Sequence, residues 1–388
     1  MVTMYNPFEG IRGGIESVAY ELSKAFAKLK HETWILTMGD VNKKTIADVQ
    51  GVNLWILPDR KMNNLLARSL FFIKEGKSII EKMEKELEVD VFNGQAGLAV
   101  PLFFASLKKA KRIITVHTVD AENIAKIRDC WRVRRYREFA GESLRYPILK
   151  LWRSFFFWKS DALVFVSSFA MNEFKLYYPH LGYKPSFVIE NGFPEQGHIH
   201  NTSCNRNYDF VYVGRIDKIK GVDLIVKATR LLRDKYSPKI AVAGDGAWKK
   251  TTEQLASRLG VTKNIHFLGH LPHSSVLELV GAATCVVIPS FYESDPLVMK
   301  ECLALNVPII SSDISSLKQG ISDNENRWAF RCGDHQDLAK TMERFLSSHA
   351  LMGSRSRGNM GVCLNSEFNS WESAAKRYVR VFESLSKS

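Results

Sequence analysis

Two glutamates, Glu293 and Glu301, stand eight positions apart in the stretch PSFYESDPLVMKECLALNVPIISSD, Pro289 to Asp313. The apolar runs on either side, AATCVVIPS and VPIIS, are short and β-branched, as strands covered on both faces are. Between them Asp295 is suited to cap a helix that Pro296 opens, and Asn306 and Pro308 to close it. Glu293 then lies at the carboxyl end of a strand and Glu301 in the second turn of the next helix, the edge where open α/β sheets bind ligands. A solvated helix face is the plain alternative.

Other residue types with chemical potential fall at similar places. In FVYVGRIDKIKGVDLIVKATRLL, Arg215 and Lys220 follow a strand and precede a helix. Two cations in such a loop suit a diphosphate, and equally a solvated turn. His117 ends the strand RIITVH at a carboxyl edge, where functional residues gather, although a lone histidine is often structural. Gly10, Gly13 and Gly14 precede an amphipathic helix, so backbone amides there are open to an anion. Their spacing is not G-x-G-x-x-G, and a dinucleotide fingerprint is weakly supported.

The elements that must position these residues alternate through both halves of the chain. TWILT, VNLWILP, VDVFNG, RIITVH, ALVFVS and SFVIENG are the strands expected in the first half, and YDFVYVG, KIAVAG, NIHFLG, CVVIPS and VPIISS in the second. The opening MVTMY is shorter than an interior strand usually is, which leaves open an upstream start or a trimmed edge. The polar segment 192–207 carries Pro and Gly without period and reads as a linker. The expected organisation is a Rossmann-like domain over 1–195 and a second over 196–368. A closing helix over 369–388 presents Ala374, Tyr378, Val381 and Leu385 as one stripe, expected to pack back on the first domain by its apolar face. Two such doubly wound sheets facing one another make a cleft.

A length of 388 residues agrees with two domains, and 45% hydrophobic with 24% charged residues excludes a largely disordered chain. The six cysteines form no C-x-x-C pair, and neither a signal-peptide pattern nor an apolar run of 18 residues occurs. A reducing cytoplasmic setting without structural disulfides or zinc is therefore expected. The net charge of +13 is uneven: residues 126–159 hold ten Lys or Arg against three acidic residues, a net +7, interleaved with nine aromatic side chains. That mixture suits an anionic membrane surface, at the inner face of a membrane. A plain basic helical face and a nucleic-acid contact compete with it; no nucleic-acid-binding motif accompanies the patch, so no nucleic-acid partner is expected.

The order G-G near the N-terminus, TVH, ENG, VGRIDKIKGVDLI, AVAGDGAW, NIHFLGHL and PSFYESDPLVMKECLALNVPIISS resembles the retaining glycosyltransferases of the GT-B fold, family 4, over nearly the whole chain. Sucrose-phosphate synthases and mannosyltransferases of lipid-linked glycans belong to that family. The resemblance implies an α/β architecture of two Rossmann-like domains and transfer of a sugar from a nucleotide-diphosphate sugar, the co-substrate, to an acceptor hydroxyl of a glycan or lipid-linked molecule. It implies that Glu301 holds the ribose hydroxyls and Glu293 those of the donor sugar. Amides at Leu297 and Val298 would face the phosphates, with Arg215 and Lys220 countering the charge of the departing diphosphate. Gly13 and Gly14 would approach that diphosphate, His117 the sugar, and the backbone of Gly269, His270 and Leu271 the base. No D-x-D occurs, in keeping with a family that needs no metal and no separate cofactor.

Departures from the pattern bear on specificity. Relatives usually read E-G-F-G where this chain reads Glu293-Ser294-Asp295-Pro296, and Pro296 offers no amide. Asn306 replaces a common Gly before Val307-Pro308, and NENRWAF replaces an N-G-hydrophobic loop. A nucleotide-sugar 2-epimerase of the same architecture and a catalytically silent basic subunit are the rival functions. The E-x7-E spacing favours the transferase, and five intact site residues argue against silence.

Overall fold

The structure is a computed structural model describing residues 1–5, 14–39, 45–58, 65–95, 99–119, 136–193, 208–320, 327–352 and 370–386. The chain forms two compact units, Met1–Gly192 with Asn369–Ser388, and Phe193–Phe368. The boundary segment 194–207 lies outside the described residues.

The first unit holds β1 (Val2–Tyr5), β2 (Trp34–Gly39), β3 (Thr45–Val49), β4 (Val52–Pro58), β5 (Val91–Gln95), β6 (Lys111–Val116), β7 (Ala162–Phe165) and β8 (Ser186–Val188). Its helices are α1 (Gly14–Lys28), α2 (Leu65–Glu86), α3 (Val100–Phe104), α4 (Tyr136–Lys159) and α5 (Ser168–Tyr177). The sheet order is β3-β4-β2-β1-β5-β6-β7-β8. The described pairings are parallel except that of β3 with β4. Short β1 is thus an interior strand, and the order reverses between β1 and β5.

The second unit holds β9 (Phe210–Val213), β10 (Ile240–Ala243), β11 (Ile265–Gly269), β12 (Cys285–Ile288), β13 (Ile309–Ser312) and β14 (Arg327–Phe330). Its helices are α6 (Val222–Leu232), α7 (Lys249–Arg258), α8 (His273–Ala282), α9 (Leu297–Ala304), α10 (Ser315–Gly320) and α11 (His335–Met352). The sheet is parallel in the order β11-β10-β9-β12-β13-β14, doubly wound with its switch point between β9 and β12. Every residue of β10 and β12 is buried, because helices cover both faces of the sheet.

The chain ends in α12 (Trp371–Ser386), which belongs to the first unit. Ala374, Tyr378, Val381 and Leu385 are its buried stripe. Phe26 of α1 meets Tyr378 edge-on, at 6.1 Å between ring centres. The Tyr378 hydroxyl lies 3.0 Å from Thr115 Oγ1, and Thr115 in turn donates to Asn93 Oδ1 at 2.9 Å. A polar chain inside the sheet therefore fixes the register of the returning helix as well as its apolar contact.

Two strands lie where the sequence gives no clear alternation: the edge strand β3, TIADV with Ile46 exposed, and β14, RWAF at the end of the segment NENRWAF. Both gain order from the neighbour they pair with rather than from their own composition.

Candidate active site

The loops after β9 and β12 emerge side by side, since these are adjacent parallel strands at the switch point. Gly221 adopts a left-handed φ of +67°, and a Cβ there would overlap the carbonyl oxygen of Pro289. Only glycine lets the two loops approach so closely. Phe291 N donates to Ile219 O at 2.8 Å and joins them a second time.

Lys220 and Glu293 come together on this platform. Lys220 closes a 3-10 turn, Lys218–Lys220, that Asp217 caps by accepting from the Lys220 amide at 3.2 Å. Its Nζ donates to Glu293 Oε1 at 2.8 Å, and Ser290 Oγ donates to the same oxygen at 2.7 Å. Both donors use Oε1, so Oε2 is the oxygen that neither engages. Arg215 stands at the start of the same loop, its guanidinium half-exposed and 3.3 Å from Asp217 Oδ2, while its carbonyl accepts from the Tyr212 hydroxyl at 2.7 Å. Burial first, and then the negative charge of Glu293 and Asp217, hold the Tyr212 phenol well above its usual range, so it stays a donor.

Glu301 is 6% exposed, which removes the solvated-face alternative. Its Oε1 accepts from His273 Nε2 at 2.9 Å. His273 opens α8 two residues after Leu271, so it ties the loop Gly269–Leu271 to the Glu301 carboxylate. Gly269 ends β11 with φ +72°, and its carbonyl accepts from Gly244 N at 2.7 Å. His270 is exposed and Leu271 half-buried. No sequence motif marks His273; its place just past a strand end, like that of His117, is the signal the sequence carries for it.

The start of α9 differs from expectation. Pro296 is the residue before the helix, with φ −72° and ψ 120°, rather than its first residue, and no side chain caps it. Asp295 instead pairs with Lys300 at 2.9 Å, the two side chains 8% and 6% exposed. Lys300 also lies over the Phe193 ring, 5.7 Å from its centre. A lysine buried at that depth needs an anion, and this demand draws Asp295 inward from the cap. Leu297 and Val298 still supply the first amides of the helix. Asn306 takes the left-handed conformation, φ 53°, that its type favours.

In the first unit, His117 follows β6 and is 7% exposed. Its Nε2 lies 2.8 Å from Gln95 Oε1, at the end of β5. Burial lowers its pKa to about 4, so the ring is neutral at physiological pH. An amide oxygen can only accept, so Nε2 carries the proton and Nδ1 is the acceptor. The Gln95 amide nitrogen is buried without a partner among the described residues. Gly14 opens α1, and a Cβ there would meet nothing within 4 Å. Gly13 lies outside the described residues, as do residues 126–135 of the basic stretch.

Two family profiles match consecutive parts of the chain: Glycosyltransferase Family 4 over residues 12–196 and Glycosyl transferases group 1 over residues 200–359. The chain belongs to the group 1 glycosyltransferases of the GT-B fold. Among relatives of this chain, glycogen synthase of Mycobacterium tuberculosis is 29% identical over 175 residues, covering 45% of this chain and 42% of its own. D-inositol 3-phosphate glycosyltransferase of Corynebacterium aurimucosum is 26% identical over 178 residues, 44% of this chain and 42% of its own. The matched part thus spans less than half the length of these relatives. Sucrose-phosphate synthase of Thermosynechococcus elongatus has the same fold, with TM-score 0.78 at 18% identity over 99% of this chain and 98% of that one. So does Anabaena HepE in complex with UDP-glucose, with TM-score 0.70 at 14% identity over 99% and 98%.

Proposed function

We propose that the protein transfers a glycosyl unit from a nucleoside-diphosphate sugar to an acceptor hydroxyl, with the anomeric configuration retained. The observation that carries this reading is the Lys220–Glu293 pair at the switch point, with the buried Glu301 at the start of the adjoining helix. A cation, a carboxylate with one oxygen that neither Lys220 nor Ser290 engages and a second carboxylate suit a diphosphate, a sugar hydroxyl and a ribose diol in turn. That the similarly folded Anabaena HepE binds UDP-glucose favours a nucleotide sugar as the ligand class.

In this proposal Glu301 accepts from the two ribose hydroxyls, and the backbone of Gly269, His270 and Leu271 meets the base. The amides of Leu297 and Val298 receive the phosphates. Lys220 exchanges Glu293 for the diphosphate when the donor binds, and Arg215 adds a second positive charge. Glu293, released, accepts from hydroxyls of the sugar. The C1–O bond breaks with its electron pair going to the diphosphate. The acceptor oxygen bonds to C1 from the same face and passes its proton to a phosphate oxygen. Positioning and charge stabilisation by Lys220 and Arg215 supply the rate, with no metal required. The acceptor is a glycan or lipid-linked alcohol.

The test is a transfer assay over a panel of nucleotide sugars with polyprenyl-phosphate-linked and free glycan acceptors, read by product anomer in NMR. An α-linked product from an α-linked donor, undiminished by a chelator, is expected. An inverted product, or release of free nucleotide and epimerised sugar without acceptor, contradicts the reading.

A further inference from the structure

Helix α4 carries two apolar faces. Phe156 and Phe157 are buried in the first unit's core. On the opposite side Leu144, Ile148, Leu151, Trp152 and Trp158 are 76%, 66%, 73%, 43% and 55% exposed. These five positions recur at the helical period and form one continuous stripe over the last four turns. Among the described residues the other exposed large apolar side chains are scattered, as single surface residues normally are. A stripe of this length on one helix is not a by-product of composition, because the core is already supplied by the other face.

The charges along the helix say what covers it. From Ser143 to Lys159 the sequence holds Arg145, Lys150, Arg153 and Lys159 and no acidic residue. Lys159 Nζ donates to Phe103 O at 3.0 Å, and Arg153 donates to Val119 O at 3.3 Å, so two of the cations are anchored along the helix's flanks. Trp152 rests on Phe104 and Phe155, with ring centres 5.8 and 6.2 Å apart, which fixes its indole in place at the surface. Leucine and isoleucine at the crest, tryptophans on rigid aromatic supports and a net positive charge, with the helix's two acidic residues Glu138 and Glu142 placed before the stripe, make a helix that lies in a lipid–water interface. With four cations it is not built to cross a bilayer, and no described helix is long and apolar enough to do so. A protein partner would need acidic residues matched to those cations along one helix, whereas an anionic leaflet offers a continuous negative surface at any register.

We infer that the exposed stripe Leu144–Trp158 of α4 is a membrane-docking face that lays its apolar crest into an anionic lipid surface, the net positive charge of the helix drawing it to the leaflet. The inference stands on exposure and charge and does not depend on the transfer reaction.

The test is co-sedimentation of the full chain with vesicles of phosphatidylcholine containing phosphatidylglycerol, beside vesicles of phosphatidylcholine alone. The wild-type protein should sediment with the anionic vesicles, less so as salt is raised. Ile148→Asp with Leu151→Asp should lower the bound fraction about tenfold or more while the protein melts like wild type. Leu144→Asp with Trp158→Ser is a second pair with the same expectation, should the first fail to fold. Wild-type protein left in the supernatant, equal binding to both vesicle types at any salt, or unchanged binding by both variants would overturn the inference. So would a dimer in sedimentation velocity that the same substitutions dissolve while vesicles bind nothing, since the stripe would then face a second copy.

Discussion

Lys220 and Glu293, 73 positions apart in sequence, meet at 2.8 Å where two neighbouring parallel strands end. The pairing neutralises a cation and a carboxylate that the proposed reaction assigns to different parts of the donor. Each is thereby held at the ligand edge until a diphosphate offers the lysine a better anion. Lys220→Ala should lower kcat by about a hundredfold or more through lost stabilisation of the leaving group, and Lys220→Met likewise. Steady-state kinetics with the matched donor check this; turnover close to wild type in both variants removes Lys220 from the chemistry.

His273 should act on binding rather than on the chemical step, because its contact is with Glu301 Oε1 and not with the sugar. His273→Ala should raise the donor KM about tenfold, the value of one hydrogen bond to a charged group, and leave kcat within a few-fold. His273→Asn, which keeps a donor, should recover part of the loss. A fall in kcat at unchanged KM would contradict the assignment.

The buried Asp295–Lys300 pair should show the asymmetry of such pairs. Asp295→Ala leaves a buried ammonium without its anion and should destabilise the second unit by about 3–5 kcal/mol, whereas Asp295→Leu with Lys300→Met should be nearly neutral. Denaturant unfolding of the three proteins measures this. The pair flanks both proposed ligand-holding glutamates, so the double variant also reports how far their placement depends on it.

His117 gives a pH dependence of defined sign. Its folded pKa of about 4 is lower than the usual 6.5, so the unfolded chain binds the extra proton first. The native state is at full advantage above about pH 6.5 and loses it as pH falls towards 4, by on the order of 3 kcal/mol. His117→Gln should flatten that part of the stability curve; an unaltered slope between these pH values would show that the ring is not held neutral.

Much of this arrangement could be read in the residues themselves, and what escaped was tertiary. The apolar, β-branched runs revealed most strands because burial on both faces leaves little choice of residue type. Glu293 and Glu301 were legible because a strand end and a helix start lie eight residues apart there. The edge strand β3 and the strand β14 were not, since each takes its order from a neighbour across the sheet. Asp295 looked like a helix cap because short acidic residues usually are; that Lys300 would be buried and claim it depends on packing that no local pattern records. His273 and Gln95 were passed over for the same reason, as their importance lies in the partner each one touches.

The most direct test of the proposed donor site is binding of nucleoside-diphosphate sugars measured by thermal shift, for wild type and Glu301→Ala together. A ligand that binds the native state raises its melting temperature by mass action. At least one nucleoside-diphosphate sugar should raise the wild-type melting temperature in a dose-dependent way, and Glu301→Ala, folded as judged by its own melt, should lose the response. A wild-type protein indifferent to every nucleotide sugar, or a Glu301→Ala protein that responds as wild type does, would contradict the proposed site.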